Sequence, residues 1–333
     1  MSEDVTAGAW TEAKPKAIPV GRDRMQSLVL VWIAVPVLGY LVFEVVQQLF
    51  IAGGYPRTDL TKAVPISLVF ALAAWRVRAA TAMAALCGGM ICLILTEPFQ
   101  RILITCIAPW RPVPSILHSG LTLLVLLFLL TFGATRLGRK VKADAGLEEC
   151  RKGRSASQIV ANLGIAALMA SFWGDSIYQL AEGGYSFSGP PGNFARFTAV
   201  WLVPTLAALA EATADTVSSE IGQAFGGAPV MLTTLRRVAP GTDGAVTVMG
   251  TVAGVVAAAV IAATGMPALG MSAAECGVGF GGGGGGLFFD SLLGATVERK
   301  GWLGNDLVNF ASTAFSAGVA LVAIRLGGDG LVR

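Results

Sequence analysis

Three aspartates sit within or at the end of strongly apolar stretches: Asp215 in LAEATADTVSSEIGQAFGG, Asp290 in GFGGGGGGLFFDSLLGATVERKG, and Asp306 at the opening of NDLVNFASTAFSAGVALVAI. A fourth, Asp243, lies in the loop TTLRRVAPGTDG. The chain is only 14% charged, with a mean hydropathy of +0.67. An acid at the centre of a bilayer helix costs roughly 2.5–3.5 kcal/mol on insertion scales. Each apolar-flanked carboxylate must therefore face a protein interior, a watery cavity or a cation. Carboxylates bind Mg²⁺, which prefers oxygen ligands and commonly bridges to substrate phosphates.

The residues around these acids extend that chemistry. On a helix, Glu211, Asp215, Ser219 and Gly222 share one face, whereas Glu220 lies roughly 140° round from Asp215. Asn305, Asn309, Ser312 and Ser316 form a second stripe, with Asp306 and Thr313 beside it. Small polar residues can simply knit helices together, which suits the serines and threonines but not the aspartates. In the 233–244 loop, Pro240-Gly241 makes a turn, and Thr242 or Asp243 is expected to cap a helix beginning near Gly244. A helix start is a ready phosphate site, beside which Arg236 and Arg237 would add cationic grip. Gly281–Gly286 predicts a helix that is very closely packed or locally broken before Asp290, and Gly250-x-x-x-Gly254 reads as a helix contact. No Walker motif and no protein-kinase signature is present, so any nucleotide chemistry belongs to another fold.

The elements that hold these residues must be membrane helices. The 333 residues are 54% hydrophobic and include 42 glycines. Apolar runs of about 20 residues recur, long enough to span a bilayer core, and they lack the period-two alternation of an outer-membrane barrel. The expected fold is all-α, a polytopic helical bundle of about nine spans (eight to ten): 27–50, 62–77, 79–97, 115–137, 157–178, 196–222, 245–265, 274–296 and 307–326. Pro98, Pro109, Pro112 and Pro114 punctuate one connection, and 186–192 forms another turn. Five cysteines (Cys87, Cys92, Cys106, Cys150, Cys276) without a C-x-x-C pair argue against a zinc site or disulfide framework. The single histidine, His118, excludes a multi-histidine metal site.

Basic residues orient the bundle. With the amino terminus inside, 17 of the 24 fall on inside segments, among them Lys14, Lys16, Arg22, Arg24, Arg78, Arg136, Arg139, Lys142, Arg151, Lys152, Arg154, Arg236, Arg237 and Arg299, as the positive-inside rule asks. The same orientation brings Asp215, Glu220, Asp243, Asp290, Asn305 and Asp306 to the inside face, one site rather than several. The chain then divides into a cytoplasmic segment 1–26, a four-span half 27–137, a basic loop 138–156, a five-span catalytic half 157–326 and a tail 327–333. The basic loop reads first as an orientation determinant near anionic lipid and second as a recognition element for a phosphorylated substrate.

Four blocks, GRSASQIVANLG (153–164), ATADTVSSEIG (212–222), TTLRRVAPGTDGAVTVMGTVAG (233–254) and FDSLLGATVERKGWLGNDLVNFAST (289–313), with FGATRLGRK (132–140) as a weaker fifth, resemble an integral membrane family. That family includes the plant chloroplast phytyl-phosphate kinase and animal transmembrane protein 19. The resemblance covers about 130–315. It implies phosphorylation of a prenyl monophosphate to its diphosphate by CTP or another NTP. It further implies a catalytic and metal cluster of Asp215, Asp243, Asp290 and Asp306, with Glu220 as a further metal ligand. Thr233, Thr234, Arg236, Arg237, Gly241, Thr242, Gly244, Asn305 and Asn309 would contact nucleotide or phosphate. The implied cofactors are Mg²⁺ and the nucleoside triphosphate. The expected partners are an isoprenoid-phosphate lipid and the bilayer, with no nucleic acid. The expected location is a prokaryotic plasma membrane with the site facing the cytoplasm. Val217 and the long glycine run depart from the family pattern and bear on substrate fit. Two other chemistries use the same residues: an ion-coupled transporter or lipid flippase, and a CTP-dependent cytidylyltransferase that forms a CDP-lipid.

Overall fold

The computed structural model describes residues 18–51, 60–102, 119–144, 146–147, 153–181 and 191–327. Lys14, Lys16, Cys106, Pro109, Pro112, Pro114, His118, Cys150, Arg151 and Lys152, the 186–190 turn and the tail from 328 lie outside the described residues.

Nine long helices among the described residues overlap the nine expected segments, with ends displaced by several residues. They are α1 (Val20–Ile51), α2 (Leu60–Arg76), α3 (Ala82–Ile102), α4 (Gly120–Arg136), α6 (Ala156–Ala181), α7 (Pro191–Phe225), α8 (Val248–Leu269), α9 (Ala273–Leu293) and α10 (Asn305–Leu326). A short helix, α5 (Arg139–Asp144), follows α4. Helices α1, α8 and α10 are long and apolar enough to cross a membrane, while α3, α4 and α6 contain shorter apolar stretches. Trp32, Ile33, Phe43, Leu68, Val252 and Val256 point outward. An outer face of large apolar side chains suits lipid rather than water, and the protein is an all-α membrane protein.

Local sequence sets the helix ends. Ser272 and Glu275 form a reciprocal capping box at the start of α9, and Gly270 ends α8 in the left-handed conformation. The expected helix start near Gly244 is corrected. Ala245–Val246 (β2) pairs antiparallel with Val230–Met231 (β1), because Gly244 adopts φ +71° and turns the chain out of the helical path. Helix α8 begins only at Val248, capped by Thr247, whose hydroxyl accepts from Gly250 N–H at 3.1 Å.

Helix α7 is the axis of the bundle and packs on α4, α6, α8, α9 and α10. One apolar core runs through Ile91, Leu123, Val160, Leu206, Ile261, Leu287 and Ile324. The six-glycine run is an unbroken part of α9. A Cβ on Gly283 would lie 2.7 Å from Ala210 Cβ, and one on Gly286 would lie 2.5 Å from Glu211 Cγ. Glycine is therefore required for α9 to approach α7. Gly250 and Gly254 do the same for α8, where added Cβ atoms would come within 2.5 Å and 2.8 Å of α7 carbonyl oxygens. After Leu293 the helix widens into a π-turn, Gly294–Glu298.

Candidate functional site

The starts of α1, α6, α8 and α10 and the ends of α7 and α9 meet at one end of the bundle. They enclose a cavity of about 840 Å³. Asp215, Glu220, Asp243, Asp290 and Asp306 all line it, together with Gly241, Thr242, Gly244, Asn305 and Asn309. Residues separated by almost a hundred positions thus share one space, because successive helices run antiparallel and each returns its polar end to the same level.

Thr233, Thr234, Arg236 and Arg237 are placed differently. They lie exposed around the β1–β2 hairpin, outside the cavity lining. There Arg236 offers its backbone carbonyl to Met231 N–H at 2.9 Å. The cations that line the cavity are Arg24 and Arg154, while Arg299 interacts electrostatically with Asp243.

Sequence reasoning missed two further acids in the lining, Asp23 and Glu298. Asp23 arrives because α1 begins seven residues before the expected span and grips the turn ahead of α10. Arg22 donates to the Gly301 carbonyl at 3.0 Å, Gln26 donates to the Trp302 carbonyl at 2.8 Å, and the Gly304 N–H donates back to Gln26 Oε1 at 2.8 Å. Ser27 donates to Asp306 Oδ2 at 2.6 Å. Glu298 follows Asp290 by eight residues, a helical repeat visible in the sequence, but the π-turn is what carries it to the rim.

The acids are not equivalent. Glu211 is almost wholly buried behind the cavity; Ser312 donates to its Oε1 at 2.6 Å, while Oε2 has no partner among the described residues. Asp290 Oδ1 is likewise buried without a hydrogen-bond partner among the described residues. Glu211, Asp215 and Asp290 stand within electrostatic reach of one another. Glu220 is already committed. Lys142, only 3% exposed, forms a short ion pair with it, and Thr135 donates to its Oε1 at 2.8 Å. The α10 stripe knits helices, with Asn309 donating to Asn162 Oδ1 at 3.3 Å and Ser316 to the Ala207 carbonyl at 2.9 Å.

Outside the membrane helices, burial first and then Asp243, Asp215 and Asp23 push the Glu298 carboxyl up to about 8. The surrounding protein also pushes Asp243 up, and Arg299 partly offsets the effect. Such shifts are expected where like charges converge out of bulk water. Among the described residues, no three carboxylate, cysteine or histidine groups stand close enough to enclose a metal ion by themselves.

A second cavity, of about 650 Å³, abuts the first and shares Gly153, Arg154, Gln158, Asn162, Thr216 and Glu220 with it. Phe70, Leu124, Leu127, Phe128 and Phe132 give it an apolar side, Thr131 and Thr135 add hydroxyls, and its remaining charged lining is Arg78, Arg136, Arg139 and Lys142.

Known proteins bear on the family. Over 195 residues the chain is 36% identical to the uncharacterized membrane protein MJ0933 of Methanocaldococcus jannaschii, covering 58% of this chain and 71% of that one. Over 215 residues it is 30% identical to the uncharacterized membrane protein sll0875 of Synechocystis, covering 61% and 72%. It is also 30% identical over 216 residues to the chloroplastic protein VTE6 of Arabidopsis thaliana, covering 64% and 60%. No solved structure matches significantly. The family model of the integral membrane protein DUF92 matches residues 65–317, which hold the whole lining of the second cavity and all of the first except Asp23, Arg24 and Ser27, and the chain belongs to that family.

Proposed function

We propose that this protein is a membrane-embedded prenyl-phosphate kinase. It transfers the γ-phosphoryl group of a nucleoside triphosphate, with CTP favoured, to an isoprenoid monophosphate of the phytyl or geranylgeranyl type. The observation that carries this reading is the convergence of Asp215, Asp243, Asp290 and Asp306 on one cavity at one end of a helical bundle. The family resemblance and the chloroplast relative support it.

An oxygen of the lipid phosphate attacks the γ-phosphorus. The new P–O bond forms as the β,γ-bridging bond breaks, and its electron pair leaves with the nucleoside diphosphate. The acceptor is already ionised, so no general base is needed, and positioning with charge neutralisation does most of the work. Mg²⁺ is usually held by one or two carboxylates, with substrate phosphates and water completing its shell. The donor set fits that mode: Asp290 has an unpartnered buried oxygen and Asp215 is beside it, so these two would hold the ion, which when bound would offset the triphosphate charge. Asp243 and Asp306 shape the rim, Arg154 and Arg24 meet phosphate, and the 240–244 turn presents backbone to the nucleotide. Glu220 acts as a structural partner of Lys142. In the proposed orientation the site faces the cytoplasm at the level of the lipid headgroups.

The test uses purified protein with Mg²⁺, CTP or ATP, and phytyl or geranylgeranyl monophosphate. A prenyl diphosphate together with CDP or ADP is expected. Pyrophosphate release with a CDP-lipid would instead identify a cytidylyltransferase, and no product with any of these pairs rejects both enzymes.

A further inference from the structure

The second cavity has a composition that the phosphoryl-transfer reading alone does not use. Leu124 and Leu127 of α4 are buried in its wall. Phe70 of α2 meets Phe128 edge-on at 5.7 Å, and Phe128 stacks on Phe132 at 5.5 Å. Its charged lining is four arginines and Lys142 against a single carboxylate, Glu220. Lys142 and Glu220 neutralise each other, so the excess positive charge belongs to Arg78, Arg136, Arg139 and Arg154. A volume of about 650 Å³ suits a small-molecule ligand, for which sites span about 300–1,000 Å³.

The backbone is built to hold those arginines together. Arg154 N–H donates to the Ala79 carbonyl at 2.9 Å, and Thr81 N–H donates to the Arg154 carbonyl at 3.0 Å. This pairing clamps the loop before α6 to the loop between α2 and α3. It requires Gly153, at φ +83°, because a Cβ there would lie 2.7 Å from the Arg78 carbonyl oxygen. Arg78 itself adopts φ +58°, a conformation uncommon for a non-glycine residue and enriched where ligands are held. Arg136 lies 4.6 Å above the Phe132 ring and donates to the Val77 carbonyl at 3.3 Å, which turns its guanidinium back toward the same rim.

We propose that this second cavity is the lipid subsite, with the apolar chain lying among Phe70, Leu124, Leu127 and Phe128 and the terminal phosphate monoester held by Arg78, Arg136, Arg139 and Arg154. Arg154 lines both cavities, so the bound phosphate would sit at the shared wall, facing the carboxylate cavity. The assignment rests on the kinase reading for what that phosphate then does. The binding itself needs neither nucleotide nor turnover.

The test measures binding of phytyl monophosphate, phytol, phosphatidic acid and inorganic phosphate to the purified, nucleotide-free protein. Phytyl monophosphate is expected to bind best. The Arg136→Gln/Arg154→Gln double variant should weaken it by about 10- to 100-fold while leaving phytol binding unchanged, as expected for lost charge-assisted hydrogen bonds. A phytyl monophosphate carrying a diazirine on its tail should label peptides of α2 and α4 in the wild-type protein, a readout that does not depend on any variant folding. Labelling confined to α8 and α9, or unaltered binding in the folded double variant, overturns the assignment. Equal affinity for phosphatidic acid also overturns it, in favour of a resident phospholipid. Binding as described without diphosphate formation would overturn the kinase reading alone, whereas turnover with an unaltered KM for the lipid in the double variant would overturn this subsite alone.

Discussion

Two adjoining cavities meet at one end of the bundle, and they are electrostatic opposites. The first is lined by seven carboxylates and two cations, and the second by five cations and one carboxylate. Their walls differ as well. Around the first, α7, α8 and α9 approach through glycines and leave polar groups at close quarters. Around the second, α2 and α4 stand apart and fill the gap with leucine and phenylalanine. An anionic space can recruit a metal–nucleotide complex, and a cationic rim over an apolar chamber can recruit an amphiphilic anion. Had one cavity contained both sets of charges, they would have paired with one another. The two sets meet only along the residues that the cavities share, so most of each stays available to a ligand.

The largest effect expected from this division is on turnover. Asp290→Asn keeps the shape of a buried side chain but removes charge from the first cavity. It should lower kcat on the order of 10²–10³-fold, the scale seen when a group that manages transition-state charge is lost. Affinity for phytyl monophosphate in the second cavity should stay within about threefold, a shift under 1 kcal/mol. Parallel kinetics and binding on the same preparation check this. A matching collapse of lipid affinity would mean that the two cavities act as one.

The wall itself can be broken. Glu220 faces both spaces, and Lys142 reaches from α5 to neutralise it. Lys142→Met leaves a buried carboxylate without its cation and should cost about 3–5 kcal/mol of stability. The Lys142→Met/Glu220→Leu double variant should recover most of that loss, since an apolar pair of similar volume is often neutral. Melting temperatures of the four proteins in one detergent complete the cycle. If the single and double variants melt alike, the pair does not hold the wall.

That ion pair also marks the limit of what the sequence reveals. The helices were legible because long apolar runs announce themselves, and antiparallel alternation then brought Asp215, Asp290 and Asp306 to one level. The pairing of Lys142 with Glu220 was not legible, because a lysine in a basic loop looks like any other orientation signal until α5 folds back on α7. Arg236 and Arg237 drew attention as a conspicuous pair, yet they lie in the long connection between two strands of two residues each, too short to show in periodicity, and stay at the surface. Arg154 looked like one more loop charge, and only its backbone pairing with Ala79 turns it inward. Short-range rules placed the helices; long-range backbone pairing chose the cations.

Protonation sharpens the contrast further. Glu298 is pushed from 4.5 up to about 8 by burial and by the neighbouring acids. Its folded form holds a proton that the unfolded chain has already released, so stability should fall as pH rises between about 4.5 and about 8. Glu298→Gln should flatten that part of the melting-temperature profile. Added Mg²⁺ should also flatten it by favouring the ionised carboxyl, with proton release on binding. An unchanged slope in Glu298→Gln would assign the pH dependence to other groups.

The smallest effect separates faces of a single helix. Gly285 of α9 has nothing within 4 Å of an added Cβ, whereas one on Gly286 would lie 2.5 Å from Glu211 Cγ and 2.9 Å from Ser316 Cβ. Gly286→Ala forces apart the helices behind the carboxylate cavity and should destabilise by about 1–3 kcal/mol, the usual cost of overpacking, with a drop in kcat. Gly285→Ala relieves only the entropy of a flexible residue in a helix and should stabilise by about 0.5–1 kcal/mol. It should leave both cavities untouched. Thermal melts and steady-state assays on the two variants decide whether the glycine run serves the close packing of one face. Equal losses at both positions would mean that α9 needs its flexibility throughout, and the narrow wall of the first cavity would then need a different cause.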